Sequence, residues 1–346
     1  MRDIKLLETT IRDGGMGLEF AYKNDYSTKC YNSNQIKSIL SSLCESHVDI
    51  IEIGAVDPFV KEIDLKFAKY HTVEELSATR PTNGKDNQLF VGFVVGPDTP
   101  LDKVPEWRPG LVDGLRLSLR YSELKKSLEY GVALARKGYK LFLQPMITMR
   151  YSDSELDMIT DYANEAGAYA VYFVDTYGHM LEDDVLRLFN HYDTRLNKDI
   201  RIGFHPHNNM NLAYSNTKYF LNIETDRNVI IDTCCTGLGQ GAGNLQSELL
   251  MPYLIDNYGK DYYQYDYLLD ICDLIDSELN VNNVWGYSVN MLLPALYKSA
   301  YKYVPILRYQ YKLSYREIHK LLKVMPYDMR MRYTAQNVKD LVEKYL

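Results

Sequence analysis

Apolar positions along this chain fall into short runs that alternate with longer amphipathic stretches. The runs Ile4–Glu8, Ile50–Ile53, Leu89–Val95, Leu115–Leu119, Lys140–Gln144, Ala170–Val174, Ile200–Phe204 and Val229–Ile231 read as eight strands. Between them, about Ser33–Ser46, Glu123–Lys137, Asp153–Glu165, Leu181–Tyr192, Leu212–Asn222 and Gln246–Tyr258 carry helical spacing, with Leu40 and Leu43 on the apolar side of the first. This alternation predicts a parallel sheet built from βα units. Eight units favour closure into a TIM (β/α)8 barrel over an open sheet.

One strand adds detail. Leu115-Arg116-Leu117-Ser118-Leu119-Arg120 alternates strictly between apolar and polar residues. In a barrel sheathed by helices, the leucines face the helices, Arg116 and Ser118 line the interior, and Arg120 stands at the rim where substrate binds. A half-exposed antiparallel strand would show the same alternation. Beyond Asp261 the pattern changes to helix and loop rich in tyrosine. Residues 1–264 therefore read as the barrel and 265–346 as a helical C-terminal appendage, ending in Lys339–Leu346.

Composition narrows the function classes. Hydrophobic residues make up 46% and charged residues 25% of the 346, which is ordinary for a globular chain and argues against extended disorder. A net charge of −7 gives no electrostatic reason to expect nucleic acid or an anionic membrane as partner. Met1-Arg2-Asp3 leads straight into a strand, and no apolar run has membrane-spanning length. Cys30, Cys44, Cys234, Cys235 and Cys272 show neither C-x-x-C spacing nor an even framework, so free thiols in a cytoplasmic protein are expected.

In an α/β barrel, chemistry sits on the loops that follow the strands. The seventh strand ends in Gly203-Phe204-His205-Pro206-His207-Asn208-Asn209. Side chains two apart leave the same face of a strand, so His205 and His207 can present two imidazoles to one point. Alone, the pair would equally suit two hydrogen-bonded loop histidines. The first strand leads into Thr10-Ile11-Arg12-Asp13-Gly14-Gly15, and Asp13 opposite the histidines completes an O/N/N donor set suited to Mn²⁺, Mg²⁺ or Zn²⁺. Arg12 beside it could stabilise an enolate or carboxylate oxygen, while the bland alternative is an Arg-Asp ion pair capping the strand. Glu52 is a lone carboxylate in the second strand's apolar run and needs a partner, for which an arginine at the barrel mouth would serve. Gly237-Leu238-Gly239-Gln240-Gly241-Ala242-Gly243-Asn244 follows the last strand, the wrong place for a dinucleotide fingerprint, but its glycines permit close backbone approach to a ligand.

Together, the segments 10–14, 203–209 and 237–244 resemble the three signature segments of the DRE-TIM metallolyases, which include 3-hydroxy-3-methylglutaryl-CoA lyase, isopropylmalate synthase and 4-hydroxy-2-oxovalerate aldolase. The short final glycine loop, lacking the cysteine of the CoA lyases, is most similar to the oxovalerate aldolases. The resemblance implies a divalent metal, Mn²⁺ before Mg²⁺ or Zn²⁺, held by Asp13, His205 and His207, with Asn244 as a further ligand. It implies that Arg12 stabilises the metal-bound enolate of a 2-oxo acid such as pyruvate, and that Thr176 lies near the substrate. Arg12 and Glu52 are then the expected catalytic residues, and Arg12, Thr176 and Arg120 the expected substrate contacts.

Two departures stand out. The aldolases place a catalytic histidine where this chain has Met16, and a C-terminal tyrosine where it has Met291. Methionine cannot move a proton, so His179, Glu19 and Tyr287 become the candidate substitutes. The expected function is a metal-dependent carbon–carbon lyase or aldolase with altered acid/base residues. A Claisen-type acyltransferase and a catalytically degenerate, ligand- or partner-binding barrel are the alternatives. The resemblance allows a homo-oligomer and a dehydrogenase partner.

Overall fold

The computed structural model describes residues 2–24, 29–280 and 285–345. All eight expected strands form: β1 (Ile4–Glu8), β2 (Ile50–Val56), β4 (Leu89–Val94), β5 (Gly114–Leu119), β6 (Lys140–Pro145), β7 (Ala170–Asp175), β8 (Arg201–Pro206) and β9 (Val229–Thr233), with a short β3 (Lys69–Tyr70) besides. Every pairing is parallel, and β1 bonds both β9 and β2, which closes the barrel. β3 continues the edge of β2 where β1 stops: Leu7 and Glu8 pair with Ile50 and Ile51, whereas Lys69 and Tyr70 pair with Ala55 and Val56.

The helices between strands are α2 (Ser33–Glu45), α3 (Val73–Ser77), α4 (Leu124–Arg136), α5 (Asp153–Ala166), α6 (Glu182–Arg195), α7 (Ala213–Asn222) and α8 (Ser247–Tyr258). They are preceded by α1 (Arg12–Asn24), which opens directly after β1. Gly14, Gly15 and Gly17 depress helix propensity in this stretch, which the chain alone shows as the end of the first strand. Packing explains the glycines. A Cβ on Gly15 would lie 2.4 Å from the Phe67 carbonyl oxygen, and one on Gly17 would lie 2.5 Å from the Gly239 backbone.

Leu115, Leu117 and Leu119 join the outer core beneath the helices, as their alternation predicts, while Arg116 is fully buried inside the barrel. The interior is apolar toward one end, with Leu7, Val91, Phe142 and Ile230 in a cluster of their own. It also encloses a charged layer. Arg116 donates to Asp232, lies 3.0 Å from Glu52 Oε2 and stacks over the Tyr172 ring. A register shift in β2 between Glu52 and Ala55 adds local twist where that carboxylate turns inward.

After the barrel, α9 (Tyr265–Glu278) places Leu268, Ile271 and Ile275 in the barrel's outer core. A second core belongs to α10 (Val289–Leu296), α11 (Tyr303–Tyr309), α12 (Tyr315–Val324), α13 (Tyr327–Arg330) and α14 (Ala335–Tyr345). α12 buries Ile318, Leu321 and Leu322 at helical spacing, each side chain contributing about 1.5–3 kcal/mol of transfer free energy. Its start is fixed by Ser314 and Glu317 in a reciprocal capping box. Tyr177, from the loop after β7, enters this second core and donates its hydroxyl to the Met331 carbonyl at 3.1 Å, tying the appendage to the barrel mouth. Leu346, included in the expected final helix, lies outside the described residues. Among the described residues no helix is long and apolar enough to cross a membrane.

Candidate metal centre

β8 delivers the two histidines. His205 is the penultimate residue of the strand and His207 lies just past its end, so both rings point into the barrel mouth, with Nε2 atoms 3.2 Å apart. The exit from β8 is held by the glycine loop: Asn208 N–H donates to the Gly243 carbonyl, and Leu245 N–H to that of Pro206. Gly243 has no room for a side chain there, since a Cβ would sit 2.0 Å from the Gly237 oxygen, and its φ of +82° suits glycine.

Asp13 arrives from the first turn of α1, where its own N–H bonds the Thr9 carbonyl and the helix N-terminus favours a carboxylate. Its Oδ2 lies 3.6 Å from His205 Nε2 and 4.0 Å from His207 Nε2. Among the described residues these three, all buried, form the one group of His, Cys, Asp or Glu side chains whose donor atoms gather closely enough to hold an ion. Burial pushes the Asp13 carboxyl up, but Arg12 and the two histidines outweigh it and hold it well below the usual carboxylate range.

The residues fit a divalent cation: donor atoms of one carboxylate and two imidazoles lie within 4.8 Å of one another in a buried site. His205 Nδ1 lies 2.8 Å from Asp232 Oδ2, which fixes the ring and turns Nε2 toward His207 and Asp13. Beside them, Asn244 donates its Nδ2 to Asp13 Oδ2 at 2.6 Å, and its Oδ1 is buried with no partner among the described residues. Burial and the neighbouring His205 lower His207 to about 4, so its imidazole is neutral at ordinary pH. Burial alone would lower His205, but its bonds to Asp13 and Asp232 raise it.

Arg12 is locked beside this cluster. Nη1 donates to Asp13 Oδ1 at 2.6 Å, Nε donates to Glu52 Oε2 at 2.5 Å, and the guanidinium stacks 4.3 Å over the Phe93 ring. Glu52 touches Arg12 and Arg116 and none of the three donors, so it positions charge rather than facing the cluster. Met16, one turn along α1, places its sulfur 3.9 Å from Arg12 Nη1.

Other expected residues lie further out. The Arg120 guanidinium is held by Asp98, Glu123 and the Val95 carbonyl. Thr176, at the β7 exit, accepts a hydrogen bond from Ile147 N–H at 2.7 Å. Of the candidate proton movers, Glu19 has both oxygens held by Lys23 and Lys69, and Tyr287 is exposed. His179 is buried, with Nδ1 3.8 Å from Asp175 Oδ1.

Three neighbours were not picked out in the sequence. Asp232 is one, although a carboxylate ending the apolar run 229–231 carries the same signal as Glu52. Glu8 is another, fully buried and holding the loops together by accepting from Thr10, Ser247 and the Cys235 N–H. The third is Tyr301, whose hydroxyl donates to the Gln240 side chain from the far side of the mouth. One tyrosine among 31, placed by tertiary contact alone, leaves no local signal.

Comparison with known proteins agrees with this geometry. Residues 115–276 match the HMGL-like family model. An oxaloacetate decarboxylase from Mycobacterium tuberculosis is 26% identical over 253 residues, covering 73% of this chain and 70% of its own length. A 4-hydroxy-2-oxovalerate aldolase from Thermomicrobium roseum is 27% identical over 256 residues, covering 72% of this chain and 66% of its own. Among solved structures, the N-terminal domain of a candidate aldolase from Bacteroides vulgatus superposes with a TM-score of 0.69 at 20% identity, covering 89% of this chain and 98% of that one, a likeness in fold. These similarities agree with the resemblance to the DRE-TIM metallolyases read first from three short segments.

Proposed function

We propose, from the premise that this chain is a DRE-TIM-type barrel, that it makes or breaks a carbon–carbon bond next to the carbonyl of a 2-oxo acid such as pyruvate, by way of the enolate. The observation that carries this reading is the convergence of Asp13, His205 and His207 with Arg12 fixed beside them. A divalent cation held by those three residues, Mn²⁺ by preference and with Asn244 at its side, supplies Lewis acidity toward the 2-oxo carboxylate.

The protein's own contribution is positional. Arg12 cannot swing away, because Glu52, Asp13 and Phe93 fix it on three sides. Its remaining N–H groups are therefore preorganised to stabilise negative charge developing on the substrate oxygen. Glu52 and Asp232 divide Arg116 between them, and Asp232 also fixes the His205 ring. Thr176 and Arg120 stand on the rim at the ends of β7 and β5.

Met16 decides between reactions. Aldol cleavage needs a base for the substrate hydroxyl, and a thioether beside Arg12 supplies none. Decarboxylation of a 3-carboxy-2-oxo acid releases carbon dioxide and yields the same enolate without that base. This chain's proton-poor pocket favours it as a second reading, in keeping with the named activity of one relative.

The test is NMR of pyruvate in D₂O with the metal-loaded protein. Methyl-proton exchange that depends on Asp13 and Arg12 is expected. No exchange above the metal-only rate would refute enolate chemistry and favour a binding role.

A further inference from the structure

Beside the metal centre lies a cavity of about 310 Å³ that the reading above leaves without an occupant. One wall is α1, through Met16 and Phe20; another is the glycine loop, through Gln240; the third is the start of α11, through Tyr301, Lys302 and Ile306. It abuts the reaction site at two points. Met16 touches Arg12, and Gln240 belongs to the glycine loop whose Gly243 carbonyl accepts from Asn208 N–H, next to His207. A ligand whose 2-oxo carboxylate sits at the metal centre therefore has this space before it for the rest of its chain. The volume is at the small end of ligand pockets and suits a short chain rather than a nucleotide.

The walls mix apolar side chains with Glu19, Lys23, Gln240, Tyr301 and Lys302, and of these charges Lys302 has no ion pair among the described residues. Glu19, the acidic side chain lining the cavity, has its oxygens 2.7 Å from Lys23 and 2.7 Å from Lys69. Lys69 is shared in turn with Asp57 at 3.1 Å. Lys302 has no ion-pair partner among the described residues; its ammonium lies 5.6 Å from the Phe20 ring centroid, which steers it without neutralising it. Burial and the charge of Lys23 lower the Lys302 ammonium below the usual lysine range, and the nearby Glu19 offsets this only in part.

We infer that this cavity is the subsite for the distal part of the substrate and that Lys302 selects an anionic group, a carboxylate or a phosphate, at its far end. The natural substrates are then 2-oxo acids with a second anionic terminus. This rests on the proposed binding of a 2-oxo acid at the metal centre. Lys302 is a specificity determinant and touches no reacting atom.

The experiment is calorimetric titration of the full-length, Mn²⁺-loaded protein with length-matched pairs: 2-oxoglutarate against 2-oxopentanoate, and 2-oxoadipate against 2-oxohexanoate. One charge-assisted contact at a partly open site predicts that the wild type prefers the dicarboxylate of at least one pair by about tenfold. The preference should fall to near unity in Lys302→Met and return in part in Lys302→Arg. Adding 4-phosphonate analogues to the panel separates phosphate from carboxylate as the preferred terminus. A wild type without preference, or a preference that survives in Lys302→Met, overturns the inference. Pyruvate methyl exchange run on the same samples separates the two levels: exchange without dicarboxylate preference removes only this subsite, whereas no exchange and no binding removes both readings.

Discussion

Asp232→Asn tests the centre without touching a proposed ligand. One carboxylate oxygen of Asp232 serves both His205 Nδ1, at 2.8 Å, and Arg116, and the residue is 1% exposed, so no water replaces what is lost. The substitution keeps volume and removes charge. Its single carbonyl can face the imidazole or the guanidinium, and its NH₂ must then confront the other donor. Partners of this kind, which hold a metal-binding histidine in one tautomer, are worth roughly 10–100-fold in metal affinity, or about 1.4–2.7 kcal/mol. Arg116 keeps Glu52 at 3.0 Å, so the stability cost should stay below the roughly 3–5 kcal/mol of a fully broken buried pair. Mn²⁺ affinity is read by competition with a chromophoric chelator, and stability by urea unfolding in EDTA. Unchanged affinity in a folded Asp232→Asn protein would show that His205 is not held for a metal, and the centre would have to be abandoned.

Further outcomes follow from the same geometry. Arg12→Lys replaces a fork braced by Glu52, Asp13 and Phe93 with a point charge, and pyruvate exchange should fall by about 10²-fold or more with metal affinity little changed; an exchange rate equal to wild type would reduce Arg12 to a structural ion pair. In chelated protein, Asp175 and His179 should impose opposite pH dependences. Burial raises Asp175 from 3.8 to about 7, so the folded state holds its proton longer, and its stabilising effect is complete below about pH 3.8 and lost as pH rises to 7. Burial lowers His179 from 6.5 to about 4, so its effect is present above pH 6.5 and lost as pH falls to 4. His179→Phe should leave the first slope alone and Asp175→Asn the second, as urea midpoints across pH 4–8 would show. Parallel slopes in the two variants would contradict the assignment.

What could be read from the chain follows from the range of each interaction. Strands showed as apolar runs because both faces of a barrel strand are covered, and Leu115–Arg120 even gave its two faces correctly. The histidine pair was legible because strand geometry alone aims residues two apart at one point. α1 was not, since its glycines answer to Phe67 and Gly239, partners far along the chain. Arg120 shows the opposite failure: its place at the end of β5 was legible, but not the Asp98 and Glu123 that engage it. Glu52 called for one arginine and has two.

α1 also acts as a ruler. Arg12 and Asp13 open it at the metal centre, and Met16, Phe20 and Lys23 follow at intervals of one turn along the neighbouring cavity. The glycines between them pack without room for a side chain against Leu238, Phe67 and Gly239, which fixes the rod in the barrel mouth. Reactivity and substrate choice are thus written in separate letters of a single rigid word. A library randomised at positions 16, 20 and 23 could redirect the proposed enolate chemistry to new partners while positions 12 and 13 stay as they are, which makes this helix the natural place to begin redesign.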